Sequence, residues 1–275
     1  MTVNSRVKRF TLLQRLSHIF LMVTFLIQSA SGLGRMYMET SFGRWLCWIF
    51  GGYEATREVH IWVGIVMLGG FVLHVFYLLF KIDWMNLRKS LFGPDSMLPR
   101  TVDIKEFFQH VGWFIGIKKQ PSFDRWGYWE KFDYWAVFWG MVVIGFTGLL
   151  LAWPIAASRI MPGWGLNVAL WIHRIEALLA MGHVFIIHFF IAHLRRHNFP
   201  MDRAMLEGSV ALDDARHERP AWIERLKAEE RFNDTLVPES IVSQRIVHYL
   251  IGYSAVAIGV FLLIGALVNA PFISL

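Results

Sequence analysis

One stretch, Leu170 to His197, constrains this chain more than any other. It is almost entirely apolar, yet it carries His173, His183, His188, His193 and His197. About 20 apolar residues suffice for a helix to cross a bilayer. An ionisable side chain inside such a helix is costly, which makes function the default reading. His173 and His188 are 15 positions apart, about 22 Å of helical rise. Fifteen steps of about 100° end about 60° past four turns, so both rings can share one face. Histidines on one face, one near each membrane surface, suit single ligands to two stacked haems. The plainer reading is a packing helix whose ring nitrogens bond to backbone.

A second helix shows the same pattern and favours haem. Glu58 to Phe80 is apolar and holds His60 and His74, 14 apart, which is about 21 Å of rise and within about 40° of one azimuth. Gly64, Gly69 and Gly70 lie between these histidines. Small residues let a flat ligand or another helix approach the backbone.

Hydrophobic residues make up 55% of the 275 positions and charged residues 17%. That is the composition of an all-α, polytopic membrane bundle. The net charge of +6 does not indicate nucleic acid, because Lys and Arg fall in the loops between apolar segments. Cys47 is the only cysteine, which excludes a disulfide framework, a CxxCH haem attachment and an iron–sulfur ligand set. Any redox centre held by this chain is held by histidine.

Five spans are expected, at about 16–34, 58–80, 132–153, 170–193 and 241–268. Residues 1–193 read as a four-helix haem-binding bundle with a loop at 81–131. Residues 194–240 read as a polar loop, and 241–275 as a fifth, C-terminal transmembrane helix. The basic N-terminus and the run that follows also fit a signal peptide, with Ser29-Ala30-Ser31 as a weak cleavage site. A retained helix carrying His18 is the preferred reading. Trp45 to Phe50, Asp103 to Ile117 and Pro220 to Phe232 read as surface helices. His110 is left unassigned, since a surface histidine is more often solvated than a ligand, although it or a free His18 could serve as the proton partner of a quinone; His248 is expected to be interfacial. The third span has no histidine, but Gly140, Gly145 and Gly148 recur on it, as on a packing helix.

The N-terminus and the loops 81–131 and 194–240 carry 21 Lys or Arg, against four on the opposite side. This bias puts the N-terminus in the cytoplasm and the C-terminus outside. His18, His74 and His188 then lie toward the cytoplasmic face, and His60 and His173 toward the outer face. His60 pairs with His173. His188 pairs with either His18 or His74. The rise places the two b haems about 20 Å apart. Bis-histidine ligation leaves no open iron position, so such haems carry electrons and do little else. Arg57, Arg174 and Arg195 are placed to pair with haem propionates.

Several motifs resemble the membrane cytochrome b subunits of formate dehydrogenase, related hydrogenases and thiosulfate reductase. They are RLSH at the head of the first span, the histidine opening the second, the paired histidines of the fourth, and FPMDRAMLEGSV. YWEKFDYWAVFWG, FTGLLLAW, HRIEALLA and HFFIAHLRRHNFPMD resemble a branch found beside multihaem cytochromes c. The likeness covers roughly residues 6–220. It implies that His18 and His188 bind the cytoplasmic-side haem and His60 and His173 the outer one, with a quinone site by the former.

Two features depart from the formate dehydrogenase type: His74 has no counterpart there, and the histidines of the fourth span are one position further apart. The 60/74 and 173/188 pairs look instead like cytochrome b of the quinol–cytochrome c reductases. His18 is then an axial ligand, a proton partner for quinone, or, with His183 or His193, a ligand of a third haem.

The expected function is an electron-transfer subunit of a quinone-linked oxidoreductase complex in the bacterial inner membrane. It would join the quinone pool to an extracytoplasmic partner, a multihaem cytochrome c or an iron–sulfur protein. The rivals are a histidine-lined proton or metal transporter and a stand-alone b-type reductase. The spans hold few carboxylates beyond Glu58 and Glu176, which weighs against a transporter.

Overall fold

The computed structural model describes residues 6–195, 198–199 and 201–272. Arg196 and His197, at the end of the histidine-rich stretch, lie outside the described residues, as does Pro200.

Five helices are long and apolar enough to cross a membrane: Leu12–Met36, Tyr53–Lys81, Tyr128–Ala152, Gly163–Leu194 and Val242–Phe272. Below they are the first to fifth spanning helices. They run from 25 to 32 residues, or about 38 to 48 Å, whereas the hydrocarbon core is about 30 Å thick. Apolar runs in the sequence mark only the lipid-immersed part. The helices continue into polar residues such as Gln14, Glu54 and Lys131. Leu73, Phe76, Trp139, Phe146 and Leu267 stand exposed on them, as expected of side chains that meet acyl chains rather than water.

The fourth helix is not uniform. It is α-helical over Gly163–Gly182 and then winds into π turns at His183–His188 and Phe190–Leu194. A π turn closes i→i+5 bonds and takes in one residue more than an α turn, a form frequent at functional sites. His188 closes the first of these turns.

The chain forms two compact units. One comprises residues 16–76, 137–201 and 250–275 and holds most of the spanning helices. Its core joins Leu33, Tyr37, Leu46, Met181, Phe185, Phe189, Leu262 and Ala266. The Tyr37 hydroxyl donates to the Ala266 carbonyl at 3.0 Å. Gly259 admits two aromatic rings, since a Cβ there would lie 2.7 Å from both Phe185 and Phe189. Leu46 belongs to a short helix, Ser41–Ile49, whose Trp48 is exposed, where an interfacial helix or turn was expected.

The other unit comprises residues 1–15, 77–136 and 202–249. It contains a feature not foreseen from the sequence, a small antiparallel sheet. Strand β1 (Arg6–Lys8) lies between β2 (Ser209–Ala211) and β3 (Leu236–Val237). Strands of two or three residues are too short to show an alternating pattern. Val7 packs with Ala215, Trp222, Ile223 and Leu226. Glu130 accepts from Arg9 at 2.5 Å and from Arg219 at 2.8 Å, with both arginines about 5% exposed. Glu207, in the stretch LEGSV, binds Arg6 at 2.6 Å and Arg203 at 3.1 Å. Gly208 follows with φ +86, and its carbonyl accepts from the amides of Arg9 and Phe10. This motif therefore anchors the start of the chain.

The surface helix expected at Asp103 to Ile117 is present as Thr101–Phe114. Glu106 on it has its carboxyl pushed up to about 7, by burial and by the neighbouring Asp103 carboxylate. His110, left unassigned from the sequence, is a covered ring. It is 7% exposed, stacks on Phe114 at 4.7 Å between centroids, and places Nδ1 3.1 Å from the Tyr128 hydroxyl. Phe123, Tyr128 and Trp129, from the segment after the helix, close over it. Helical periodicity cannot report such a cover.

Candidate functional site

The bundle unit brings four of the five candidate histidines together in two pairs. His60 of the second spanning helix faces His173 of the fourth, with ring centroids 6.2 Å apart and planes at 81°. His18 of the first helix faces His188 of the fourth at 6.3 Å and 39°. His74, the alternative to His18, packs edge-on against Phe138 of the third helix at 6.0 Å.

These separations have a chemical meaning. An imidazole nitrogen lies about 1.1 Å from its ring centre and about 2 Å from a metal it binds, so two imidazoles on one metal sit about 6.2 Å apart. A direct nitrogen-to-nitrogen hydrogen bond of about 2.9 Å would bring collinear rings to about 5.1 Å. Both pairs match the metal-bridged value. Two imidazoles per centre is the donor set of a six-coordinate haem. A bare metal ion needs more protein ligands, and among the described residues no group of three or more His, Cys, Asp or Glu side chains is arranged to hold one.

The tautomers of one pair follow from their hydrogen bonds. His173 Nδ1 is 3.1 Å from the Ile144 carbonyl and 3.1 Å from Thr147 Oγ1. A carbonyl only accepts, so Nδ1 carries the proton and Nε2 keeps a lone pair for a metal. Thr147 directs its own hydroxyl hydrogen to the Val143 carbonyl at 2.7 Å, which leaves its oxygen to accept. His60 is held in the same way. Its Nδ1 lies 3.0 Å from Ser31 Oγ, and Ser31 donates to the Ile27 carbonyl at 2.7 Å.

Glycines next to these hydroxyls make room for the rings. A Cβ on Gly32 would sit 3.2 Å from His60 Cε1, and one on Gly148 would sit 3.1 Å from His173 Cε1. Gly148 was singled out from the sequence only as a packing glycine; the glycines of the second span behave differently. A Cβ on Gly64 would meet Gln28 at 2.5 Å and one on Gly70 would meet Phe20 at 2.4 Å, so both let the first two helices approach. Gly69 faces open space.

The second pair is held otherwise. His18 Nδ1 is buried without a hydrogen-bond partner among the described residues, as is His193 Nδ1. His193 lies on the second π turn, its ring 6.1 Å from Phe189. Of the arginines proposed for propionates, Arg57 is bound to Glu58 at 2.8 Å. Arg174 follows His173 on the fourth helix, and Arg35, in the last turn of the first, has its Nε buried without a partner among the described residues. Arg35 was not singled out from the sequence. Nor were Ser31 and Thr147, although a hydroxyl residue followed by glycine stands at both sites.

Comparison with known proteins gives the family. Residues 9–208 match the family described as prokaryotic cytochrome b561. Among curated proteins, the formate dehydrogenase cytochrome b556(fdo) subunits of Escherichia coli strains K12 and O157:H7 are each 25% identical over 222 residues, covering 80% of this chain and 92% of theirs. With its five membrane-length helices and facing imidazoles, the chain belongs to the prokaryotic cytochrome b561 family and is a membrane electron-transfer cytochrome b.

Proposed function

We propose that this cytochrome carries electrons between the quinone pool and an extracytoplasmic redox subunit through two b haems, one bound by His60 and His173 and the other by His18 and His188. The observation that carries this reading is that the bundle sets His60 opposite His173 and His18 opposite His188, with ring centres 6.2 and 6.3 Å apart, so that each pair would hold one haem. The haems supply one-electron chemistry; the chain supplies position and electrostatics. His60 and His173 present Nε2 with the tautomer fixed by acceptors on Nδ1. Arg35 and Arg174 offer positive charge beside that pair for propionates. In this reading His74 is a packing residue against Phe138, and no third haem is required.

The excess of Lys and Arg in residues 1–15, 81–131 and 194–240 supports a cytoplasmic N-terminus and an outer C-terminus. The His60–His173 haem then faces the extracytoplasmic partner, and the His18–His188 haem faces the cytoplasmic side, where quinone would react. The likeness to a formate dehydrogenase cytochrome subunit supports a place in a membrane-bound oxidoreductase complex. Because Cys47 is the only cysteine, substrate chemistry that needs iron–sulfur clusters or covalent haem falls to the partner.

The test is purified protein from its native membrane. Two haems b per chain and their reduction by an added quinol are expected. Haem without quinol reduction would leave a b-type cytochrome and remove the quinone link. A colourless protein would remove the haem reading itself.

A further inference from the structure

The two imidazoles of the His60–His173 pair are gripped by the same local device, supplied once by the first spanning helix and once by the third. In the first helix the parts are the Ser31 hydroxyl and Gly32. In the third they are the Thr147 hydroxyl and Gly148, joined there by the Ile144 carbonyl. The spacing is identical: a backbone carbonyl at i beside a hydroxyl at i+3, and a glycine at i+4. On a helix these three positions share one face.

The wiring is identical too. Ser31 sends its hydroxyl hydrogen back to Ile27 at 2.7 Å and lies 3.3 Å from the Gln28 carbonyl. Thr147 sends its own to Val143 at 2.7 Å and lies 3.2 Å from Ile144. Both hydroxyls are buried, with Ser31 at 0% and Thr147 at 6% exposure. A buried hydroxyl needs partners. Each satisfies its donor within its own helix and turns its acceptor to a histidine on the next spanning helix. The glycine one residue on leaves the gap that the ring's Cε1 edge occupies, at 3.2 and 3.1 Å from where a Cβ would be.

We infer that these segments, 28–32 and 144–148, are a duplicated imidazole clasp that orients both axial ligands of one haem and lowers that haem's reduction potential. The chemistry is that of an outer-shell acceptor. An oxygen drawing on Nδ1–H gives the ring imidazolate character, strengthens its donation through Nε2 and favours ferric over ferrous iron. Ser31 and Thr147 are thus positioning residues, acting on the haem only through His60 and His173. The inference rests on the two-haem reading above.

Redox titration of purified variants, followed optically, tests it. Ser31→Ala and Thr147→Val should each keep two haems per chain and raise the midpoint of one. That haem must be the same in both variants and must be the one absent from His60→Ala. Combining the two should raise it further, while Thr147→Ser and Ser31→Thr should return it to the native value. Gly32→Val and Gly148→Val should cut haem content from two per chain toward one, because the ring's place is filled. The His18–His188 haem is the internal control. If both midpoints move together, or neither moves once the hydroxyls are gone, the clasp is overturned while the two-haem reading stands. If the native protein holds no haem b, the reading fails before the clasp is reached.

Discussion

His60 and His173 stand 6.2 Å apart with Nδ1 of each bound to acceptors on neighbouring helices. His18 and His188 stand 6.3 Å apart, yet His18 Nδ1 has no hydrogen-bond partner among the described residues. The second pair also ends on a π turn, His183–His188, whereas His173 rises from regular α-helix. Equal spacing with unequal support separates two jobs. Spacing decides whether a metal can be bridged. The partners of the far ring nitrogen decide how basic the ligand is and how rigidly it is aimed. The first pair is built to hold one geometry and one tautomer, while His18 keeps more freedom.

The largest expected effect is loss of a whole cofactor. His60→Ala and His173→Ala should each drop haem from two per chain to one, and both should remove the same spectral component. His18→Ala should remove the other component. His74→Ala should keep both, since that ring packs on Phe138. Pyridine haemochrome assays on purified variants give the ratio. Loss of haem from His74→Ala together with retention in His18→Ala would move the second pair onto the second spanning helix and dissolve the comparison.

A smaller effect concerns energy rather than occupancy. With two clasped imidazoles, the His60–His173 haem should have the lower midpoint of the two. Electrons then settle on the His18–His188 haem. In the proposed orientation that makes transfer from the outer partner toward quinone the downhill direction. Potentiometry, with each wave assigned by its histidine variant, reads the order. The opposite order would mean that propionate charges or burial, rather than Nδ1 bonding, set the gap.

The sequence carried the skeleton of this site and left out its support. Intramembrane histidines were legible because charge and polarity are so rare in lipid that each one stands out. The pairing of His60 with His173 followed from helical rise. The choice between His18 and His74 stayed open, because rise gives height in the membrane but not which neighbouring helix lies opposite. The π turn was invisible for a related reason. An α-helical count assumes one winding throughout, and nothing in HVFIIH announces the wider one. Ser31 and Thr147 were hidden by their ordinariness, since buried hydroxyls that back-bond to i−4 are common in helices. His110 stayed unassigned because its cover comes from residues 123–129, beyond its own helix.

The smallest effect separates the pairs by shape alone. The ring planes cross at 81° in the His60–His173 pair and at 39° in the His18–His188 pair. Each imidazole donates π density along the normal to its plane. Near-perpendicular planes load two iron d orbitals alike and leave them close in energy, so the ferric low-spin signal is highly anisotropic. Planes closer to parallel load one orbital more than the other and give a rhombic signal with three resolved features. Low-temperature electron paramagnetic resonance of the oxidised protein should therefore show one species of each kind. His60→Ala should remove the anisotropic one, and His18→Ala the rhombic one. Two matching signals would mean that both pairs settle into one geometry around iron. The difference between them would then lie only in the partners of Nδ1, where potentiometry and not resonance would find it.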